Sequence, residues 1–170
     1  MTVSQIRSLR EVEGIWQRRT ERAEEALRQA QLREQTARTA LEQARVALAH
    51  YIERLPGLIE QLYADCIGYE VTPQFVQDKA FDEGRLRAHV AELQAKVTDA
   101  EKELSAAVEG VREAQRVLNK ERVKLETMQD LIKQEQIKIA VAEGRSLAKT
   151  LDDLAGAKYA RQMREAMNHS

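Results

Sequence analysis

The chain reads as all-α: a long two-helix antiparallel coiled-coil hairpin with an extended C-terminal helix. Composition gives the first sign. Apolar residues fill 43% of the 170 positions, yet aromatics reach only 4%, with 7 Gly and 2 Pro. Layered sheets need more rings and more turn residues, whereas Ala, Leu, Val and Ile set among 32% charged residues suit long amphipathic helices. The second sign is period: apolar residues recur at alternating spacings of four and three, which stay on one face only when two helices wrap each other. The third is that turn chemistry gathers in one place, from Gly68 to Pro73.

The first arm, about residues 1–67, carries its seam through Ile6, Leu9, Glu13, Trp16, Thr20, Ala23, Leu27, Ala30, Glu34, Ala37, Leu41, Ala44, Leu48, Tyr51 and Leu55. Pro56 lies inside this arm. It removes a backbone donor and crowds the Ile52 carbonyl, so a kink or short break is expected near Leu55. The turn occupies about residues 68–72. Gly68 supplies the left-handed residue that stops a helix, and Thr72 followed by Pro73 supplies an N-cap and a preset first helical residue. The second arm, about residues 73–165, has the cleaner seam: Leu86, Val90, Leu93, Val97, Ala100, Leu104, Ala107, Val111, Ala114, Leu118, Glu121, Leu125, Met128, Ile132, Glu135, Ile139 and Ala142. Gly84, Gly110 and Gly144 weaken it by about 1 kcal/mol each without ending it.

A short connection makes the arms antiparallel, so the numbers of facing residues add to a constant, here about 141. Ala23 then faces Leu118, Leu27 faces Ala114, Ala30 faces Val111, Ala37 faces Leu104, Leu41 faces Ala100 and Ala44 faces Val97. Nearly every layer sets a large residue against a small one, which fills space at close interhelical distance with few rings. The same register places Trp16 against Leu125 and Leu48 against Leu93. It also puts Thr20 against Glu121, with Arg18, Arg19 and Arg22 within reach, and Ile6 against Glu135. Beyond about Ala140 the second arm has no partner, yet Leu147, Leu151, Leu154, Tyr159, Met163 and Met167 continue at near-helical spacing. An apolar stripe with nothing to cover it is a candidate binding surface.

Catalytic chemistry finds no support. A two-helix pairing has no sheltered interior, and the chain holds no nucleotide loop, dinucleotide fingerprint or zinc-protease motif. His50 and His89 fall near each other beside the seam, but nothing completes a metal-ligand set, and Cys66 is the single cysteine. No catalytic, cofactor-binding or metal-binding residue is therefore assigned. The net charge of −1 gives no reason to expect nucleic acid or an anionic membrane as the main partner. The absence of an eighteen-residue apolar run and of a secretory signal sets the cytoplasm as the expected compartment. Charge is uneven, however: residues 56–84 hold six acids (Glu60, Asp65, Glu70, Asp78, Asp82, Glu83) against one base, Lys79, together with Tyr63, Tyr69, Phe75 and Phe81. These rings either close the turn or form a binding tip.

The layout resembles the small cytoplasmic stalk proteins of type III secretion systems, the YscO/FliJ family. The resemblance spans nearly the whole chain. It rests on Leu9-Arg10-Glu11 and Arg22-Ala23-Glu24, on Glu60-Gln61-Leu62-Tyr63 leading to Ile67-Gly68 and Val71, and on Leu118-Asn119-Lys120-Glu121 in the longer second arm. It implies a non-enzymatic protein at the cytoplasmic face of the inner-membrane secretion apparatus. The implied partners are the secretion ATPase hexamer, the cytoplasmic ring of the export gate, and secretion chaperones. Under it, Arg7, Arg10, Leu147, Leu151, Leu154 and Met163 are candidates to meet the ATPase ring. Leu48, Tyr51, Leu55, Phe75 and Phe81 are candidates to meet the gate. The alternatives are a coiled-coil scaffold or adaptor that oligomerises through its helices, and a membrane-surface protein anchored by its amphipathic tail.

Overall fold

The computed structural model describes residues 3–169, and the fold is the expected all-α one. Helix α1 (Val3–Tyr63) is followed by a single 3-10 turn (Ala64–Cys66), and helix α2 (Pro73–Asn168) completes the chain. No strand occurs among the described residues.

The connection follows from its residues. The Ile67 N–H donates to the Ala64 carbonyl at 3.3 Å, tightening the end of the first arm into a 3-10 turn, so regular α-helix stops at Tyr63. Gly68 then takes a φ of +83°, a region costing about 1–2 kcal/mol for a residue with a Cβ. Thr72 caps α2 twice: its hydroxyl accepts from the Phe75 N–H at 3.1 Å and its carbonyl from the Val76 N–H at 3.2 Å. Of the kink or short break expected near Leu55, the break is absent: α1 continues as helix through Pro56. Leu55, Leu58, Ile59 and Leu62, on both sides of the proline, are half-buried. That burial offsets the cost of about 3 kcal/mol that an interior proline carries.

The chain forms two compact units, Ala23–Leu118 and a second made of Met1–Arg22 with Asn119–Ser170. In the first, Ala23, Ala30, Ala37, Leu41 and Leu118 form the buried core. Every seam position named above between Ala23 and Leu118 is buried or half-buried. Contacts across the arms fall on either side of the expected constant: Arg45 pairs with Glu101 at 3.6 Å, and the Tyr51 hydroxyl donates to the Leu86 carbonyl at 2.7 Å. Most other ion pairs join residues three or four apart on one exposed helix face, such as Arg38 with Glu34 at 2.6 Å, and contribute a few tenths of a kcal/mol each.

In the second unit Thr20, Ile132 and Glu135 are buried, and the Lys138 ammonium holds the Glu135 carboxylate at 3.2 Å. The polar layer differs from expectation. The Thr20 hydroxyl turns back to donate to the Trp16 carbonyl at 2.9 Å, and Glu121 Oε2 is buried with no hydrogen-bond partner. Of the three arginines expected near this layer, Arg19 goes to the indole instead, 4.6 Å from the Trp16 ring centre, with Lys124 at 4.8 Å from it. Oriented charge over a π face is satisfied without reaching the carboxylate. Glu121→Leu is therefore expected to raise the free energy of urea unfolding by about 1–2 kcal/mol, since it removes an unpaired buried oxygen. Equilibrium melts followed by circular dichroism would check this, and a loss of stability would mean that the carboxylate is held in solution.

Candidate functional site

Two surfaces stand out, one in each unit, and each is built by what the helix pairing leaves uncovered.

At the turn, four aromatic residues divide into two pairs. Tyr63 and Phe75 close the structure. The Tyr63 hydroxyl donates to Glu83 Oε2 at 2.7 Å, while Arg87 donates to Glu83 Oε1 through Nε at 3.1 Å and Nη2 at 2.9 Å. Phe75 is half-buried beneath the Lys79 ammonium, which sits 5.2 Å from the ring centre and 3.9 Å from the Asp65 carboxylate. Tyr69 and Phe81 take no part in this closure. Phe81 is 69% exposed, and Ile67, Tyr69 and Val76 also face solvent. Of the sequence-derived gate candidates, Leu48, Tyr51, Leu55 and Phe75 are half-buried and Phe81 alone is open. Tyr69 belongs to the rings that the sequence offers as a possible binding tip, whereas Ile67 and Val76 carry no such signal, because nothing in an irregular turn or a first helical turn marks the direction of a side chain.

The Tyr63–Glu83 bond sets a pH response. Donation by the Tyr63 hydroxyl, then by Arg87, holds the Glu83 carboxyl below its ordinary value of 4.5. The same bond to Glu83 holds Tyr63 above its ordinary 10.0. Glu83 thus stabilises the fold above pH 4.5, and this is lost as pH falls through the lowered value. Tyr63 contributes below pH 10.0, and this is lost as pH rises through the raised value. Tyr63→Phe is expected to flatten the thermal midpoint's pH dependence at both extremes. Unchanged acid and alkaline limbs would show that the bond is not made in solution.

The second surface is the end of α2. From Ala140 to His169 every residue is exposed, Ala142 included, so the shielded seam stops at Ile139. Leu147, Leu151 and Leu154 stand 62%, 58% and 62% exposed, with Tyr159, Met163 and Met167 beyond them. Arg7 and Arg10, on α1 in the same unit, are exposed as well. An apolar stripe this open fits association with a partner surface rather than local packing.

Two shallow grooves flank the paired helices of Ala23–Leu118. One is lined largely by alanines, among them Ala26, Ala30, Ala37, Ala106 and Ala107, and the other by Tyr51, Asp82, Arg85, Leu86, His89 and Glu92. His89 packs edge-on against Tyr51, ring centres 4.6 Å apart, and its Nδ1 lies 2.9 Å from Glu92 Oε2, while His50 is exposed. Among the described residues no group of three or more His, Cys, Asp or Glu side chains is placed to hold a metal ion, and no helix is long and apolar enough to cross a membrane.

Comparison with known proteins adds one finding. The family model described as type III secretion protein YscO matches residues 6–165. No curated protein matches, and no solved structure matches.

Proposed function

This chain belongs to the YscO family of type III secretion proteins, and on that premise we propose that it is the non-enzymatic stalk of a secretion apparatus, linking the hexameric export ATPase to the export gate. The observation that carries this reading is the uncovered end of α2. An exposed helix end with Leu147, Leu151 and Leu154 on one face, and Tyr159, Met163 and Met167 exposed beyond them, has a surface for a second macromolecule. The N-terminal arginines Arg7 and Arg10 and the stripe residues Leu147, Leu151, Leu154 and Met163 meet the ATPase ring. The turn meets the cytoplasmic ring of the gate, led by Phe81, with Leu48, Tyr51, Leu55 and Phe75 supporting the surface from within. Secretion chaperones are further partners, and the site of action is the cytoplasmic face of the inner membrane.

The test is co-purification of the ATPase and of the gate's cytoplasmic domain with two variants, one ending at Glu143 and one with residues 67–71 replaced by a Gly-Ser linker. The first variant is expected to lose the ATPase and keep the gate, and the second the reverse. Equal retention of both partners by both variants rejects the assignment.

The scaffold alternative draws on the alanine-lined groove, whose small side chains allow close approach of another helix pair. Light scattering separates the two readings: a monomer supports the stalk, a stable dimer the scaffold.

A further inference from the structure

The surplus at the turn identifies the kind of surface it fits. Closing the connection occupies Tyr63, held by Glu83, and Phe75, covered by Lys79. It leaves Ile67, Tyr69, Val76 and Phe81 open to solvent. Exposed rings and branched residues on a chain this poor in aromatics are not required for folding, and such a cluster is typical of a recognition patch.

Charge selects the occupant. Residues 56–84 contain six acids and one base. That base is not available to a partner, since the Lys79 side chain is only 20% exposed and lies between the Asp65 carboxylate and the Phe75 ring. Glu83 is likewise occupied by Tyr63 and Arg87. Glu60, Glu70 and Asp78 remain exposed, with Asp78 accepting only from its helix neighbour Gln74 at 3.0 Å. The segment therefore offers solvent exposed apolar side chains together with three exposed carboxylates, with its one cation turned inward and the next base, the exposed Arg85, one helical turn past Phe81.

We propose that the turn docks on a basic protein surface whose apolar recess receives Phe81, with lysines or arginines around the recess facing Glu60, Glu70 and Asp78. This rests on the reading that the turn meets the export gate, and it assigns the chemistry of that contact. An anionic surface is excluded by repulsion, and a purely apolar one would leave the three carboxylates without counter-charges.

The experiment measures binding of the full-length protein to the purified cytoplasmic domain of its cognate gate, at about 50 mM and about 300 mM NaCl, between which screening shortens markedly. Three proteins are compared: the native chain, a Glu60→Gln, Glu70→Gln, Asp78→Asn variant, and Phe81→Ser. All substituted side chains are exposed, so far-UV circular dichroism should be unchanged. Salt is expected to weaken native binding about tenfold, and the charge variant to bind about tenfold more weakly at low salt with a flattened salt response. Phe81→Ser is expected to lose about tenfold at both salt levels. Native binding that ignores salt and the charge substitutions overturns the basic-partner inference and leaves the gate contact standing. Absence of native binding at either salt overturns the gate contact and the inference together.

Discussion

Leu118→Ala is expected to cost about 2–4 kcal/mol and to lower the thermal midpoint by about 5–15 °C. Leu118 is 1% exposed and, among the described residues, is the one large side chain so completely enclosed. The expected register sets it against Ala23, itself buried, so the opposite helix has no bulk to move into the space. The loss is thus the transfer free energy of the removed carbons plus that of a cavity that cannot collapse. Leu93→Ala, at a half-buried seam position, is expected to cost less than half as much. Thermal unfolding followed at 222 nm provides the comparison. A cost below about 1 kcal/mol at Leu118 would mean that the layers repack and that large does not face small there.

The largest functional effect is expected from the triple substitution Leu147→Ser, Leu151→Ser, Leu154→Ser. These side chains contact nothing that would hold the fold, being 58–62% exposed, so the thermal midpoint should stay within a degree or two of the native value. Binding to the ATPase should fall at least about 100-fold, because burying each Leu on docking contributes about 1.5–3 kcal/mol. Secretion in cells carrying the variant should fall with it. Full ATPase binding by the variant would remove the stripe from the proposed function and leave its exposure without a partner. Smaller or larger effects than these at single positions would rank the three leucines.

The pairing was legible because it depends on period and size, both of which a sequence displays directly. From Leu86 to Ile139 every seam position is buried or half-buried, and Ala142 is exposed. The turn was legible because Gly68 acts through its own backbone conformation and Thr72 through a cap only three residues away. What misled at Pro56 was a local rule: the lost hydrogen bond was visible, but the burial of Leu55, Leu58 and Ile59 that outweighs it is a tertiary quantity.

The candidate surfaces were less evenly legible. The apolar residues from Leu147 onward could be picked out because they recur after the shielded seam stops at Ile139. At the turn, Leu48, Tyr51 and Leu55 share the spacing of the seam, and period cannot separate a side chain that packs within the hairpin from one that serves a visitor. The structure separates them: Tyr51 spends its hydroxyl on the Leu86 carbonyl and its ring on His89, whereas Phe81 spends nothing. The inward course of Lys79 had no sequence signal either. It depends on an aromatic face and a carboxylate brought together by the closed turn.

The chain carries one tryptophan, and it sits between two cations in the unit that holds the N-terminal turns of α1. Its fluorescence is consequently a private gauge of that pairing, blind to the helices between Ala23 and Leu118, while far-UV ellipticity sums over every turn. Emission that shifts before the ellipticity falls would reveal fraying at the chain ends, and the iodide quenching of the same indole would time how often those ends part.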